Sequence, residues 1–290
     1  MSVDVCAPSD SERVAVGPPE PFPGWRGSDD RYRSVAWIAS HRQGSDQPKL
    51  VRRVGCDDFE VITVESTTPN SDQRHRRTIA FVGQEYWLSV DEFVASSPID
   101  VALRLQLGPE AQGNARIIDQ SVVVTPGLRI AILGARPTLA KGSVASPAGD
   151  RVDAPLVLAR SRGDSVQIVT ALFVGPCLGP PPRLVVLSED VVAVCGTTMS
   201  GATDLVVWGS VPQERCLGPL SCEADVAWVR LADGALERGV VHGTTHAVAP
   251  GRTIHRSIND GWERLAGPSG LPRPALESTR LTPTVRRSRR

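Results

Sequence analysis

The chain has 290 residues, of which 41% are hydrophobic and 22% are charged, so it can bury a core and still present a polar surface. Its 32 basic and 32 acidic residues cancel, whereas a dedicated nucleic-acid-binding protein would carry a basic excess, so we expect no nucleic-acid partner. No apolar run approaches the roughly 20 residues of a membrane-spanning helix, so we expect no membrane partner either.

Both ends of the chain differ in composition from its centre. Residues 1–31 contain the run GPPEPFPG and are predicted to be a flexible lead-in. They lack the basic start and apolar stretch of a secretory signal, so the sequence by itself predicts a cytoplasmic protein. Residues 263–290 are rich in proline and arginine and are predicted to form a loose tail. Residues 32–262 are predicted to form one domain.

The predicted domain consists of short runs rich in Val, Ile, Thr and Trp, separated by turn-forming residues. In IDVALRLQL, residues 99–107, apolar residues alternate with the residues between them, which indicates a strand with one buried face. No segment shows a helical period over more than two turns. The pattern predicts an all-β fold, an antiparallel, supersandwich-like β-sandwich with little helix. The other strand-like runs are FEVITVE, SVVVT, LRIAIL, APLVLARS, SVQIVTALFV, RLVVL, VVAVC, DLVVWGS and DVAWVRL.

Residues 75–93, HRRTIAFVGQEYWLSVDEF, are predicted to form a β-hairpin. A two-residue turn at Gly83-Gln84 suits a type II′ geometry and gives cross-strand pairs whose residue numbers sum to 167. In that register Arg76 and Asp91 form a cross-strand ion pair on one face, which also carries Trp87. The other face is apolar and is predicted to be buried: Ile79, Phe81, Leu88 and Val90. We therefore predict structural roles for Arg76, Asp91, Phe81 and Trp87.

The hairpin does not account for His75, which is either a hydrogen-bonded surface residue or a metal ligand. His242 and His246 have the HxxxH spacing of a zinc-binding helix, but Gly243 disfavours a helix there. In an extended strand the two histidines would lie about 13 Å apart, too far to share one ion. The six cysteines include no CxxC pair, and free thiols are favoured over disulfides.

No established catalytic motif occurs in the sequence. There is no GxSxG nucleophile elbow, no P-loop and no GxGxxG after a strand. No catalytic residue is predicted, and no substrate-binding residue can be assigned from the pattern.

Three consecutive motifs resemble the C-terminal β-sandwich of the heparinase II/III-like family. They are His75-Arg76-Arg77, then YWLSVDE at residues 86–92, then LQLGP at residues 105–109, in the order that the family has. The later run APLVLARSRGDSVQIVTALFVGP, residues 154–176, is similar to a strand pair of the same family. The resemblance covers roughly residues 32–250.

Members of this family are polysaccharide lyases that cleave uronic-acid glycans by β-elimination, with tyrosine and histidine of an N-terminal helical toroid as base and acid. The sequence shows no such toroid, and its tyrosines are Tyr32 and Tyr86. The resemblance thus implies a lyase-associated β-sandwich that is not catalytic alone. The alternative is a non-catalytic glycan-binding or scaffold module.

The resemblance also implies partners, a metal and a location. The expected partners are an acidic polysaccharide or a separate toroid domain. Some members hold a structural divalent metal through histidines of the sandwich, which makes His75 the candidate metal ligand; no other cofactor is expected. Family members are often exported to the periplasm or cell envelope, in contrast to the cytoplasmic location predicted from the N-terminal residues.

Overall fold

The computed structural model describes residues 34–38, 49–67, 72–145, 150–175, 179–198, 201–243, 247–248, 253–256 and 262–266. They form two antiparallel sheets packed face to face, which confirms the predicted all-β sandwich. Within these ranges the helical content is one 3-10 turn, Pro109–Ala111, and no helix is long and apolar enough to cross a membrane. The predicted lead-in lies outside the described residues.

The first sheet, sheet A, has ten strands. Eight of them follow the order β2-β3-β4-β5-β10-β8-β7-β6, while β1 pairs with β5 and β9 pairs with β10. The strands are β1 (Ser34–Ile38), β2 (Lys49–Cys56), β3 (Phe59–Thr67), β4 (Arg74–Val82), β5 (Tyr86–Gln106), β6 (Arg116–Ile118), β7 (Val122–Thr125), β8 (Leu128–Leu133), β9 (Arg136–Ala145) and β10 (Arg151–Val174).

The second sheet, sheet B, has eight strands. Seven follow the order β11-β12-β13-β14-β15-β18-β17, and β16 pairs with β14. The strands are β11 (Arg183–Ser188), β12 (Val191–Cys195), β13 (Thr203–Leu217), β14 (Leu220–Ala232), β15 (Ala235–His242), β16 (Ala247–Val248), β17 (Thr253–Arg256) and β18 (Trp262–Ala266). The predicted domain boundary at residue 262 thus falls at the start of β18, and sheet B continues to Ala266.

Each sheet contains one pair of long strands that is interrupted by a bulge. In sheet A, residues 95–98 of β5 oppose the single residue Asp164 of β10. In sheet B, residues 209–212 of β13 oppose the single residue Asp225 of β14. Both four-residue segments end in a proline, Pro98 or Pro212, which cannot donate a ladder hydrogen bond. Bulges bend the strands, so each ladder changes direction at this point.

The bends give the protein three apolar clusters in place of the single core of a flat sandwich. The cluster between the sheets joins residues such as Val90 and Val169 of sheet A to Val206 and Trp228 of sheet B. A second cluster lies on the other face of sheet A, where the β5–β10 ladder supplies residues from both sides of its bulge. A third lies on the other face of sheet B and includes Leu217 and Leu220 at the tip of the β13–β14 hairpin.

The hairpin of β4 and β5 is present, but its register differs from the predicted one by a single residue. Val82 pairs with Tyr86, so paired residue numbers sum to 168, and the loop has three residues instead of two. Gly83 and Gln84 both have positive φ, 59° and 60°. A Cβ on residue 83 would lie 2.9 Å from the Trp228 ring, so packing against sheet B selects glycine and this loop.

The shifted register overturns the predicted Arg76–Asp91 pair. Asp91 lies opposite Arg77, and Arg76 lies opposite Glu92. The prediction was wrong because one extra loop residue changes every cross-strand partner.

The predicted apolar face of this hairpin is also wrong. Leu88 and Val90 belong to the cluster between the sheets, whereas Ile79 and Phe81 are half-buried on the opposite face of sheet A. Phe81 stacks on its cross-strand partner Trp87, with ring centroids 4.6 Å apart. Both aromatic residues therefore have structural roles, but as a pair with each other.

Arg77 and Asp91 form a buried ion pair. Arg77 Nε donates to Asp91 Oδ1 at 2.6 Å and Nη2 donates to Oδ2 at 3.0 Å, and the carboxylate is fully buried. Ser89 Oγ donates to the same carboxylate at 3.3 Å. Burial by itself raises the pKa of Asp91, but Arg77 and the hydrogen bond with His75 outweigh it and hold the pKa at about 2.

Replacing Asp91 with asparagine is expected to destabilise the fold strongly. The variant leaves the buried guanidinium of Arg77 without a counter-charge, which costs about 3–5 kcal/mol in the free energy of unfolding measured with denaturant. Arg76→Ala, at the half-buried neighbouring position, is the control and should cost less. An equal loss in both variants would contradict the observed register.

The difference in stability between the wild-type protein and Asp91→Asn should also depend on pH. The folded pKa of Asp91, about 2, lies below its ordinary value of 3.8, so the ion pair contributes fully above pH 3.8. This contribution is lost as the pH falls from 3.8 towards 2. The wild-type protein should lose stability over that interval more steeply than Asp91→Asn.

Candidate functional site

A buried ion network joins the two sheets. Asp204 of β13 and Arg230 of β14 are cross-strand partners on the inner face of sheet B. Arg230 donates to both carboxylate oxygens of Asp204, from Nε at 2.7 Å and from Nη2 at 2.8 Å. Tyr86 of sheet A donates its hydroxyl proton to Asp204 Oδ2 at 3.1 Å. Burial and the negative charge of Asp204 raise the pKa of Tyr86 well above its ordinary value.

The loop of the β4–β5 hairpin extends this network. Glu85 Oε1 accepts hydrogen bonds from Arg230 Nη1 at 2.7 Å and from Arg238 Nη2 at 2.6 Å. Both guanidinium groups also lie over the Trp228 ring, with Cζ 5.4 Å and 5.0 Å from its centroid. The loop is thereby fixed to sheet B by charge as well as by packing.

A second polar cluster joins edge strand β2 to sheet B. Arg52 Nη1 donates to the Gly209 carbonyl at 2.8 Å, and Nη2 forms an ion pair with Asp225. His242 Nδ1 lies 2.9 Å from Asp225 Oδ1, and its ring packs against Trp262. Burial alone raises the pKa of Asp225, but the His242 hydrogen bond and the Arg52 charge outweigh it, so the pKa is lowered.

Beside this cluster a groove of about 690 Å³ opens between the two sheets. We call it the β13 groove. Its walls come from sheet A, from the β11–β12 turn and from the bulged part of β13. The lining residues are Arg76, Glu92, Leu187–Val191, Trp208–Ser210 and Gln213–Leu217.

One wall of the β13 groove is rigid. Arg215 forms a bidentate ion pair with the Asp190 carboxylate, donating from Nη1 to Oδ1 at 2.9 Å and from Nη2 to Oδ2. Arg215 Nε also donates to the Ala224 carbonyl at 3.1 Å. Residue 209 passes under this pair, and a Cβ there would lie 2.8 Å from both Arg215 and Asp190, so a larger residue would displace the pair.

The opposite wall carries Arg76 and Glu92, which are cross-strand partners on the face of sheet A that faces sheet B. Arg76 is half-buried, and its buried Nε has no hydrogen-bond partner among the described residues. Burial raises the pKa of Glu92, against the attraction of Arg76 and a hydrogen bond from Gln167. In this wall, the Arg76 Nε–H group without a partner among the described residues therefore lies beside the Glu92 carboxyl group, whose ionised form is disfavoured by burial.

The groove is acidic overall. Its lining has two arginines, Arg76 and Arg215, and four carboxyl groups, Glu92, Glu189, Asp190 and Glu214, which gives a formal charge of two minus four, or −2. Carboxylates and guanidinium groups that converge on one cleft can hydrogen-bond the hydroxyl groups of a polar ligand. The excess of negative charge disfavours a polyanion.

His75, the candidate metal ligand, lies outside the β13 groove. Its Nε2 is 2.8 Å from Asp91 Oδ1, and its ring stacks on Phe93 with centroids 4.2 Å apart. No group of three or more His, Cys, Asp or Glu side chains in the described ranges can hold a metal ion. The hydrogen-bonded alternative accounts for His75, and a metal-binding role stays a prediction. His246 lies outside the described residues.

Sequence reasoning brought Arg76 to attention but missed the groove around it. Arg76 and Glu92 are more than 90 residues from the rest of the lining in the chain. The available signal was the pair Glu214 and Arg215 in a strand-like run, preceded by the proline-containing break at residues 209–212. That signal indicates an irregular strand, but it does not identify the distant residues that lie beside the strand in the folded protein.

Comparisons with known proteins establish only a similarity of fold. No protein-family model matches the sequence, and no curated protein matches it. A mutant heparan sulfate lyase from Pedobacter heparinus superposes with a TM-score of 0.50 at 14% identity, over 61% of this chain and 30% of that chain. A heparinase III gives a TM-score of 0.49 at 14% identity, over 56% and 28%. This chain thus spans less than a third of the length of these structures.

The raised pKa of Glu92 predicts a stabilising substitution. Because burial favours its protonated form, folding is penalised as the pH rises above the ordinary value of 4.5. Glu92→Gln should therefore gain stability relative to the wild-type protein over that rise, in denaturant titrations at several pH values. Glu214→Gln, an exposed groove carboxyl group, is the control and should change stability by less than about 0.5 kcal/mol. A loss of stability in Glu92→Gln at neutral pH would contradict this assignment.

Proposed function

We propose that this chain is the β-sandwich of a polysaccharide-lyase-type protein and that it does not catalyse elimination by itself. The similarity of fold to a heparan sulfate lyase structure supports the first part. The observation that carries the second part is the position of Tyr86, whose hydroxyl group is buried and hydrogen-bonded to Asp204.

Elimination from a uronic acid requires a placed base beside a weakly acidic C–H and a positive group to stabilise the adjacent carboxylate. Tyr86 is unsuited to act as that base, because its raised pKa keeps the hydroxyl group protonated and burial keeps substrate away. His75 and His242, the histidines whose side chains are described, each contact a buried aspartate that is also paired with an arginine. These residues hold the sandwich together.

The purified chain is therefore expected to show no lyase activity. The measurement is ultraviolet absorbance of unsaturated uronic products with heparan sulfate or alginate as substrate and an active lyase as positive control. Tyr86→Phe should leave this baseline unchanged while lowering the free energy of unfolding by about 1–3 kcal/mol, because Asp204 loses a buried donor. Lyase activity in the wild-type chain would overturn the proposal, and its loss in Tyr86→Phe would identify Tyr86 as the responsible residue.

The β13 groove favours a second candidate function, that of a saccharide-binding module. Its volume fits a short oligosaccharide, and its polar groups come from three segments of the fold. The resemblance implied an acidic polysaccharide as partner, and that partner stays a prediction. The formal charge of −2 favours a neutral saccharide over an acidic one.

Calorimetric titration with neutral and acidic oligosaccharides of equal length tests this candidate. We expect the neutral series to bind more tightly, and Arg76→Ala to weaken binding about tenfold through loss of a charged donor. Arg53→Ala removes an exposed arginine on β2, outside the groove lining, and should leave binding unchanged. Tighter binding of the acidic series, or an equal effect of both substitutions, would exclude the groove as this site.

A further inference from the structure

Sheet A carries a cluster of exposed arginines where its long ladder is bent. Arg160 of β10 lies directly opposite Arg136 of β9, and Arg162 follows two residues further along β10. All three side chains are exposed. They share a face, because directly opposed residues of antiparallel strands point to the same side of a sheet, as do residues two apart in one strand. We call these three residues the Arg160 patch.

The Arg160 patch lies on the outer side of the bent ladder. Val157 and Ala159 belong to the second apolar cluster, so Arg160, the next residue of β10, points away from that cluster. Arg104 of β5 is diagonal to Arg160 on the same face, but it is half-buried and makes a contact of its own. The three exposed arginines are therefore the groups that a ligand in solution can reach.

The positive charge of the Arg160 patch is only partly compensated. Arg162 Nε lies 3.8 Å from Oδ1 of Asp100, its cross-strand partner on β5. Arg136 Nη2 donates to Gln120 Oε1 at 2.9 Å, which is a neutral acceptor. In the part of the chain that the structure describes, no carboxylate forms an ion pair with Arg136 or Arg160. The exposed groups thus give a formal charge of three minus one, or +2.

The direct opposition of Arg136 and Arg160 is unfavourable unless an anion binds there. The Cβ atoms of opposed residues are about 4.5–5.5 Å apart, and like charges at this distance destabilise a sheet. The same distance allows both guanidinium groups to donate to one anion. Arginine suits this role because its planar group can donate two parallel hydrogen bonds to the oxygens of phosphate.

We propose that the Arg160 patch is a binding site for a phosphate monoester. Arg136 and Arg160 donate to the phosphate oxygens, and Arg162 flanks them. A phosphate monoester carries a charge of about −1.5 to −2 near neutral pH, which matches the +2 of the site, whereas a sulfate ester carries only a single negative charge. This site goes beyond the proposed function and does not depend on it, since none of its residues lines the β13 groove.

The surroundings of Arg136 suit such a ligand. Gln120 lies in the turn between β6 and β7, and its hydrogen bond restricts the position of the Arg136 guanidinium group. An arginine has five N–H donors, and this bond uses one of them, so donors remain for the phosphate. A group that is already oriented loses less conformational entropy when the ligand binds.

Calorimetric titration of the full chain with glucose 6-phosphate and glucose 6-sulfate tests the ligand class, because the two probes differ only in the ester. At neutral pH and constant ionic strength, we expect the phosphate to bind at least about tenfold more tightly. Inorganic phosphate is the third probe: weaker binding than the ester assigns the site to a phosphorylated ligand, and equal or tighter binding assigns it to the free anion. A sulfate ester that binds as tightly as the phosphate ester, or no binding of any phosphate, would overturn the proposal.

Substitutions locate the binding site. Arg160→Gln and Arg136→Gln should each weaken binding of glucose 6-phosphate at least about tenfold. Arg183→Gln is the matched control, because Arg183 is exposed, forms no ion pair with the described residues and lies opposite the uncharged Cys195. Arg76→Ala in the β13 groove should also leave phosphate binding unchanged, which separates this site from the saccharide site. An equal loss in Arg183→Gln would mean general charge attraction and would overturn the proposal.

The repulsion between the two opposed arginines gives a readout that needs no ligand. In a chloride buffer of low ionic strength, Arg160→Gln should raise the melting temperature, whereas Arg183→Gln should leave it unchanged. Saturating glucose 6-phosphate should raise the melting temperature of the wild-type protein more than that of Arg160→Gln, because a ligand stabilises the folded state that binds it. An Arg160→Gln variant that melts below the wild-type protein in chloride alone would contradict the repulsion and the proposal with it.

Discussion

Hydrogen bonds to the buried carboxylate of Asp204 fix the position of one sheet relative to the other. This carboxylate is fully buried, and it accepts hydrogen bonds from Arg230 within sheet B and from Tyr86 of sheet A. Apolar packing between sheets has no direction of its own, and many relative positions bury similar area. A buried carboxylate with three fixed donors tolerates only one position, because displacement would leave a charge or a hydroxyl group unsatisfied. The neighbouring loop residue Glu85 reinforces that position through Arg230 and Arg238.

The two bulges explain how the sandwich acquires a groove. Each sets four residues opposite a single aspartate, and each bends a long two-stranded ladder so that it covers the outer face of its own sheet. In sheet B the bulge also directs the Gly209 carbonyl towards Arg52, which ties β2 to β13 at this point. The β13 groove is lined by residues on both sides of this bulge, Trp208–Ser210 and Gln213–Leu217. Its shape follows from backbone irregularity, and its chemistry from charged residues that line the opening.

The same polar residues that stabilise the sandwich decide what it is suited to do. Tyr86, His75 and His242 are the residue types that an eliminating enzyme would use, and each is held by a buried aspartate. Tyr86 is buried, and each histidine is hydrogen-bonded to an aspartate that also pairs with an arginine, so these groups are engaged within the fold. The accessible polar groups are those of the β13 groove, where Arg76 has an unused donor and burial opposes the charge of Glu92. These accessible groups are the basis of the proposed binding function.

The strand-like runs of the sequence coincide with strands to within one residue, because alternation of apolar residues and the placement of turn residues are local properties. The all-β class and the β4–β5 hairpin followed from these alone. The register of this hairpin could not be predicted in the same way, because Gly83 and Gln84 are compatible with a two- or three-residue loop. Contact between Gly83 and Trp228, 145 residues away, selects the longer loop. The β13 groove could not be predicted from the sequence either. It brings Arg76 together with Arg215, and only the packing of one sheet on the other makes these residues neighbours.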